Sequence, residues 1–258
     1  ADMEDLEKIV KEVPESAKKL ASVYWPGPLT MIFQKSDIVP YETTGGMDTV
    51  AVRMPDHPLA QALIRAGGGY VAAPSANTSG RPSPTMASHV EEDLDGKIDM
   101  ILDGGPVGIG LESTIVDFTE EIPTILRPGY INQEMVRRVI GQVQMDRGLI
   151  QADSKVKPKA PGMKYRHYAP KAPVLLFVGA PDVTARAIEQ EMQPHDAVLC
   201  FDEYHDFYDD EKGPVRTYGP SCDKQAQGQQ LFAALRDLDA TSCQRILAQA
   251  PRPFGEGL

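Results

Sequence analysis

The feature that most constrains the fold of this chain is one interruption in a series of alternating helix and strand patterns. Up to residue 143, segments with helical spacing of apolar residues alternate with short strand-like apolar runs. From Gln144 to Pro173 this periodicity disappears and Lys, Pro and Gly accumulate, as in a linker. A second alternating series begins at Val174. The sequence therefore predicts two α/β domains with a linker, with limits at 1–143, 144–172 and 173–258.

The first domain is predicted to open with a helix, whose apolar positions follow helical spacing from Leu6 to Val13 and which continues past Pro14 to Leu20. The further elements predicted for this domain are strand 29–33, strand 49–53, helix 58–66, strand 70–73, helix 85–94, strand 98–102, strand 115–118, strand 125–127 and helix 135–140. Those predicted for the second domain are strand 174–178, helix 182–192, strand 197–201, strand 215–218, helix 225–238 and strand 243–248.

Composition excludes several classes of function. The 258 residues carry a net charge of -11, which argues against a broad nucleic-acid-binding face because such faces need clustered Lys and Arg. The three cysteines and five histidines lack the spacing of a zinc site, so we expect no protein-bound metal. No apolar run approaches the ~20 residues that span a bilayer, and no leader-like segment precedes Met3. We therefore expect a cytoplasmic protein without membrane association; its oligomeric state stays open.

A polar loop follows the apolar run at 70–73. Residues 75–85, called the 75–85 loop below, contain six hydroxyl or amide side chains and no Asp, Glu or His. Such a loop can bind phosphate by hydrogen bonding and positioning, but it has no acid or base of its own. The same composition is typical of an ordinary Ser/Gly/Pro-rich turn, and that alternative stays open for the loop alone.

Other polar residues stand at the ends of predicted strands. Arg53 and Arg127 each end an apolar run, and Ser113 follows a glycine-rich segment. Open α/β sheets bind ligands where loops leave the strand ends, and the arginine fork suits carboxylate or phosphate. These residues predict a pocket for a nucleotide, an amino acid or both. Taken singly, a strand-end arginine is more often a surface ion-pair partner.

The order of these segments resembles the threonylcarbamoyl-AMP synthases, the Sua5/YrdC family. The matching segments are Trp25–Thr30, Val50–Arg53, Ser75–Gly80, Gly110–Thr114, Leu126–Gly129, Pro161–Met163 and Tyr165–Pro170. The linker and second domain resemble the two-domain Sua5 form. The implied fold is α/β, with a YrdC-like twisted open-sheet domain followed by a linker and a smaller Rossmann-like Sua5 domain.

The resemblance implies a nucleotidyltransferase that condenses ATP, L-threonine and bicarbonate into threonylcarbamoyl-AMP and pyrophosphate, for t6A modification at position 37 of tRNA. Mg²⁺ is expected with the nucleotide, and the t6A-transfer machinery is an indirect partner. No catalytic acid or base is implied, because the carbamate is itself a nucleophile and the protein acts by positioning.

By similarity, L-threonine is held by Arg53, Ser75 and Ser113. The implied ATP contacts are Thr49, Asn77, Ser83, Arg127 and Tyr165. The linker residues that are candidates for a lid are Lys164, Arg166, His167 and Tyr168.

The family's N-terminal segment, with a Thr-Glu-Thr-Val-Tyr-Gly-Leu motif and a Lys-x-Arg-Pro run, has no counterpart in these 258 residues. We therefore expect a fragment whose first domain is incomplete at its N-terminus and whose ATP binding and turnover are reduced. Two alternative functions are an RNA-binding or ribosome-associated module of the same fold, and a carbamoyl-transfer domain. The acidic composition disfavours the first, so no stable nucleic-acid binding is expected. The linker and second domain disfavour the other alternative.

Overall fold

A computed structural model describes residues 1–146 and 169–251. These residues form two compact units, each built from two separate parts of the chain. The first unit comprises residues 1–74 and 112–146, and the second comprises residues 75–111 and 169–251. Both units combine helices with one sheet, as predicted for an α/β protein.

The first unit contains a five-stranded mixed sheet with the strand order β2-β1-β3-β4-β5. β1 pairs antiparallel with β2 and parallel with β3, while β4 pairs antiparallel with β3 and parallel with β5. The strands are β1 Leu29–Gln34, β2 Thr49–Arg53, β3 Thr114–Asp117, β4 Thr124–Arg127 and β5 Gln144–Met145. The helices of this unit are α1 Met3–Ile9, α2 Glu15–Tyr24, α3 Tyr41–Thr44, α4 Pro58–Ala66 and α6 Gln133–Ile140.

One face of this sheet carries the hydrophobic core of the first unit. Alternate residues of β1 point to this face, because side chains along a strand alternate between the two sides. They pack with buried residues of α1, α2 and α6, in a cluster that includes Leu6, Leu20, Leu29, Met31, Phe33, Val116, Ile125 and Val136. Ile32, Ile115 and Leu126 form a separate, smaller apolar cluster. The core therefore fixes which residues of β1 and β2 point away from it.

The second unit contains a four-stranded, wholly parallel sheet with the order β6-β9-β7-β8. Its strands are β6 Val174–Phe177, β7 Asp196–Cys200, β8 Val215–Thr217 and β9 Arg245–Gln249. Its helices are α5 Ala87–Leu94, α7 Pro181–Glu191 and α8 Lys224–Asp239, with a 3₁₀-helix at Asp202–Phe207. The central strand β7 is buried along its whole length, as expected for a parallel sheet covered on both faces. Leu235 and Leu238 of α8 are buried in the core of this unit.

Most predicted elements are confirmed to within a few residues, but three predictions are wrong. The opening helix ends at Ile9, and Val10 adopts an extended conformation that bridges to Lys35. Pro14 then caps the start of α2, because proline lacks the N–H that a helix interior needs. Residues 70–73 and 98–102 form no strand, and no residue of the described parts of the chain pairs with them.

No helix within the described residues is both long enough and apolar enough to cross a membrane.

Candidate functional site

Four strands of the first unit bring two arginines and a threonine into one row across the sheet. Arg53 of β2 pairs with Thr30 of β1, Thr30 pairs with Ile115 of β3, and Ile115 pairs with Arg127 of β4. Residues paired directly across strands project from the same face of a sheet. Ser113 lies two positions before Ile115 and so belongs to this face as well. We call Arg53, Thr30, Ser113 and Arg127 the arginine row.

Hydrogen bonds hold three members of the arginine row together. The hydroxyl oxygens of Thr30 and Ser113 are 2.7 Å apart. Arg127 donates from Nε to the Ser113 carbonyl oxygen at 3.0 Å and from Nη2 to Ser113 Oγ at 3.1 Å. A hydroxyl has one proton and two acceptor positions, so Ser113 can donate to a ligand when Thr30 donates to Ser113. The geometry therefore leaves a hydroxyl that is fixed in place and able to bind a ligand.

A β-bulge and a glycine position Arg127 against Ser113. The register between β3 and β4 shifts at Ile115 and Val116, and a bulge re-aims the side chains beside it. Beyond β4, the backbone at Gly129 lies against Glu112 and Thr114, where an added Cβ would collide with the Glu112 carbonyl oxygen. Only glycine permits this close approach of the two chain segments. The Leu-Arg-Pro-Gly motif thus supplies both the arginine and the space that it needs.

The row is electropositive at its β2 end. No hydrogen bond or salt bridge of the Arg53 side chain is present within residues 1–146 and 169–251. Loss of hydration, together with the positive charge of Arg127, lowers the pKa of the Arg53 guanidinium, while Asp56 acts in the opposite direction. Arginine remains protonated even so. A guanidinium without a protein partner, near a second one, suits an anionic ligand such as a carboxylate.

Thr49 lies at the other end of β2 from Arg53. It pairs with Gln34 and is half-buried. It lies four positions before Arg53 along an extended strand, a distance of about 13 Å at the usual rise per residue. The structure therefore joins Arg53, Ser113 and Arg127 in one group and leaves Thr49 outside it.

Three predicted site residues belong to the 75–85 loop, in the second unit. Ser75 is exposed, while Asn77 and Ser83 are half-buried. The Asn77 amide nitrogen donates to the carbonyl oxygens of Thr78 at 3.0 Å and Arg81 at 3.3 Å. Asn77 Oδ1 is buried and has no hydrogen-bond partner within the described residues. The amide group thus closes the loop through its nitrogen and keeps an unused acceptor, so the loop is more specifically organised than a simple turn.

Five predicted residues lie outside the described part of the chain. They are the ATP contact Tyr165 and the lid candidates Lys164, Arg166, His167 and Tyr168. Across residues 1–146 and 169–251, no group of three or more His, Cys, Asp and Glu side chains is arranged to hold a metal ion.

Thr30 belongs to the arginine row but was not predicted from the sequence as a site residue. It ends the Trp-Pro-Gly-Pro-Leu-Thr motif, so a signal was present, but a threonine inside a predicted strand suggests nothing about ligands by itself. Its contact with Ser113 depends on β1 and β3 being neighbours.

Two family profiles together match nearly the whole chain. The Sua5/YciO/YrdC family, described as "Telomere recombination", matches residues 1–129. The Sua5 C-terminal family, described as "Threonylcarbamoyl-AMP synthase, C-terminal domain", matches residues 131–258.

Curated relatives carry the same description. The threonylcarbamoyl-AMP synthase of Bacillus subtilis (strain 168) is 44% identical over 265 residues, which cover 100% of this chain and 74% of that protein. The enzyme of Pyrococcus abyssi is also 44% identical, over 100% of this chain and 75% of that protein. The enzyme of Schizosaccharomyces pombe is 38% identical, over 95% of this chain and 64% of that protein.

A solved structure agrees with this assignment. The crystal structure of P. abyssi Sua5 complexed with L-threonine has a TM-score of 0.87 and 42% sequence identity, covering 100% of this chain and 75% of that one. The predicted fold, a YrdC-like open-sheet domain followed by a smaller Sua5 α/β domain, is therefore confirmed. With both family profiles and relatives matching along its full length, the chain belongs to the threonylcarbamoyl-AMP synthases, in their two-domain Sua5 form.

Proposed function

We propose that this chain forms threonylcarbamoyl-AMP from ATP, L-threonine and bicarbonate, and that the arginine row binds the threonine. The observation that carries the residue assignment is the cross-strand alignment of Arg53, Thr30, Ile115 and Arg127 on one face of the sheet, with Ser113 beside them. Arg53 has no protein partner in the described residues and therefore suits the threonine carboxylate. Ser113, fixed by Thr30 and Arg127, suits a second polar group of the amino acid.

The chemistry requires positioning more than proton transfer. The neutral threonine amine adds to carbon dioxide and releases one proton to solvent to give a carbamate; the equivalent reaction with bicarbonate gives the carbamate and one water. A carbamate oxygen then attacks the α-phosphorus of ATP, and the bond to the departing pyrophosphate breaks. Holding two reactants in line can contribute ~7 to 11 kcal/mol of barrier reduction. The arginine row supplies hydrogen-bond donors and positive charge for this task, and it contains no acid or base.

The ATP contacts proposed by similarity are Thr49, Asn77, Ser83, Arg127 and Tyr165. Arg127 is the member of the arginine row that lies on β4, and its described hydrogen bonds orient it against Ser113. Asn77 offers an acceptor without a partner in the 75–85 loop. Mg²⁺ is proposed to arrive with the triphosphate and to be held through phosphate oxygens and water. Ser75 is proposed to complete the threonine site, with Lys164, Arg166, His167 and Tyr168 forming a lid.

The cellular context follows from the product. An acyl-adenylate hydrolyses readily in water, so we propose that it is consumed in the cytoplasm by the machinery that modifies position 37 of tRNA. The domain limits of 1–143, 144–172 and 173–258 stay a prediction.

Product identity tests the proposed function. The intact gene product that carries these residues is incubated with ATP, L-threonine and isotopically labelled bicarbonate, and the products are identified by mass spectrometry. We expect threonylcarbamoyl-AMP that contains the label, with one pyrophosphate released per product. ATP consumption that depends on a different carbamoyl acceptor, or tRNA binding without any adenylate, would contradict the proposal in favour of a carbamoyl-transfer domain or an RNA-binding module.

A further inference from the structure

The 75–85 loop is fixed by an arginine of the C-terminal family region, Arg236 of α8. Its guanidinium donates to the carbonyl oxygen of Pro82 twice, from Nε at 3.0 Å and from Nη2 at 2.7 Å. It also donates to both carboxylate oxygens of Asp93 in α5, from Nη1 at 3.2 Å and from Nη2 at 2.8 Å. One planar side chain thus joins the loop, α5 and α8. All of these residues belong to the second unit.

Asp93 connects the same arginine to a second point of the loop. Its Oδ2 accepts from the backbone N–H of Thr78 at 3.0 Å, and its carbonyl oxygen accepts from the Thr78 hydroxyl at 3.4 Å. Its Oδ1 also accepts from Arg81, which in turn pairs with Glu92 at 2.8 Å. The loop is therefore held at Thr78, Arg81 and Pro82. We call Arg81, Asp93 and Arg236 the Asp93 clamp.

Burial makes the Asp93 clamp dependent on its geometry. The side chain of Arg236 is 2% exposed, and that of Asp93 is fully buried. Removing such charges from water costs several kcal/mol for each ion, and this is offset only when every donor and acceptor is well placed. The fork of arginine can serve a carbonyl and a carboxylate in one plane, whereas the lysine ammonium is a single point charge. Position 236 therefore requires arginine.

Other segments of this unit also contact the 75–85 loop or α8. Ala169 N donates to the carbonyl oxygen of Gly80 at 3.3 Å, so the last part of the predicted linker contacts the loop directly. Gln229 of α8 donates to the Val107 carbonyl oxygen at 3.1 Å. At Gly110, whose φ is positive, an added Cβ would collide with the backbone of α8. Residues 75–111 thus pack on α8 at several points besides the Asp93 clamp.

We propose that Arg236 is a positioning residue for ATP, through which the C-terminal family region sets the conformation of the 75–85 loop. This inference rests on the proposed function, in which Asn77 and Ser83 contact the nucleotide. The clamp holds Thr78 and Pro82, the residues immediately adjacent in sequence to those two contacts. Small displacements of groups that orient a reactant reduce rates strongly, so loosening these anchors reduces ATP binding. Threonine binding is affected less, because Arg53 and Ser113 lie outside the loop and the clamp's contacts are at Thr78, Arg81 and Pro82 rather than at Ser75.

Hydrogen exchange and kinetics on Arg236→Lys test the proposal. In the intact gene product, we expect amide exchange of the peptide that spans residues 75–85 to increase about tenfold, equivalent to ~1.4 kcal/mol of lost protection. We expect KM for ATP to rise about tenfold and KM for threonine to stay within about twofold, since ~1.4 kcal/mol corresponds to a factor of ten. A general loss of structure would change both KM values together or reduce only the amount of active protein.

Arg245→Lys is the matched control. Arg245 of β9 makes a two-point contact with Asp196, at 2.9 and 2.6 Å, in the same unit and with the same chemistry. Within the described residues, its side chain forms ion pairs with Asp196 and Glu191 and not with the 75–85 loop. We expect exchange of the loop peptide and KM for ATP to be unchanged in this variant. Equal effects of Arg245→Lys and Arg236→Lys on the loop peptide would overturn the proposal.

The remaining outcomes are also decisive. Unchanged loop exchange in Arg236→Lys refutes the clamp, and increased exchange with an unchanged KM for ATP refutes its role in ATP binding. If Arg236→Lys does not fold, the same measurements on Arg81→Gln replace it, because Arg81 is partly exposed and is the loop's own partner of Asp93. A wild-type protein that makes no threonylcarbamoyl-AMP contradicts the proposed function but not the clamp, because hydrogen exchange requires no turnover.

Discussion

The arginines of the Asp93 clamp and those of the arginine row differ in their partners. In the Asp93 clamp, Arg81 and Arg236 share Asp93 and Glu92, so the two positive charges meet two negative charges, one on buried Asp93 and one on exposed Glu92. In the arginine row, the described hydrogen bonds of Arg127 go to Ser113, and Arg53 has no partner among the described residues. The same side chain therefore serves structure in one region and a ligand in the other.

Because of this difference, substitutions in the two regions should affect different properties of the protein. The clamp contributes to stability only when it is complete, because a buried charge without its partner is expensive. In the arginine row, Arg53 has no hydrogen-bond or ion-pair partner among the described residues, so its positive charge is available to an anionic ligand. We therefore expect substitutions in the clamp to reduce stability first and those in the row to reduce activity first.

The largest effect is expected for Asp93→Ala. It leaves Arg236 buried without its carboxylate and removes the acceptor for Thr78 N, which should reduce the free energy of unfolding by ~3 to 5 kcal/mol. Urea unfolding followed by circular dichroism measures the change. Asp237→Ala, an exposed neighbour of Arg236 on α8, should change stability by less than about 0.5 kcal/mol. A similar small change for Asp93→Ala would remove the distinction between the two regions.

Arg53→Ala should reduce activity strongly and stability little. Removing the proposed carboxylate partner costs ~2 kcal/mol or more in ligand binding, so kcat/KM for threonine should fall by at least about thirtyfold. The free energy of unfolding should change little, because the side chain has no hydrogen-bond or ion-pair partner to lose among the residues that the structure describes. Steady-state pyrophosphate release and urea unfolding are measured together, with the exposed Arg65→Ala of α4 as control. Lost stability with an unchanged KM for threonine would show that Arg53 is structural.

Ser113→Ala should have a smaller effect of the same kind. It removes a hydroxyl held by Thr30 and Arg127 but leaves both arginines in place, so KM for threonine should rise about tenfold, or ~1.4 kcal/mol. Ser36→Ala removes a hydroxyl that donates to the Lys8 carbonyl oxygen and serves as control in the same unit. Equal KM values for the two variants would exclude Ser113 from the threonine site.

The smallest effect concerns pH. Burial opposes ionisation of Asp93, but hydrogen bonds from Arg236 and Thr78 and the two arginine charges lower its pKa below the ordinary value. A carboxylate with a lowered pKa stabilises the folded protein above its unfolded pKa, about 3.9, and this contribution is lost as the pH falls through the folded value. The stability difference between wild type and Asp93→Asn should therefore begin to shrink at about pH 4, where Asp93 of the unfolded chain takes up its proton, and should reach its minimum only below the folded pKa. A constant difference from pH 7 to about pH 3 would contradict the lowered pKa.

The limits of a helix or strand were predicted well where residues at its ends mark where it begins or stops. Strand 49–53 and helix 58–66 agree with the structure residue for residue, the helix beginning at Pro58 where proline is favoured. The runs at 70–73 and 98–102 have the same apolar character, yet Val71 is 51% and Met100 74% exposed. A strand needs a hydrogen-bonded neighbour as well as a suitable sequence, and propensity says nothing about that neighbour.

The site was predictable by residue type but not by geometry. Arg53 and Arg127 were identifiable because each ends a strand, and Ser113 because it follows a glycine-rich segment. Their alignment depends on the parallel pair between β1 and β3, which joins residues more than 80 positions apart in sequence, and on the bulge between β3 and β4 beside Ile115. Arg236 was invisible for the same reason, since it lies on an ordinary amphipathic helix far from the loop in sequence.

The distance along the chain between Arg236 and Pro82 has a consequence for biosynthesis. Their hydrogen bond joins residues separated by 154 positions. At a synthesis rate of roughly 5 to 20 residues per second, the 75–85 loop leaves the ribosome roughly 8 to 30 s before the arginine that anchors it. During this interval Asp93 can bind only Thr78, Arg81 and solvent, so the Pro82 anchor of the loop is absent while the rest of the chain is made. The nucleotide loop can therefore reach its final conformation only after α8 has been translated.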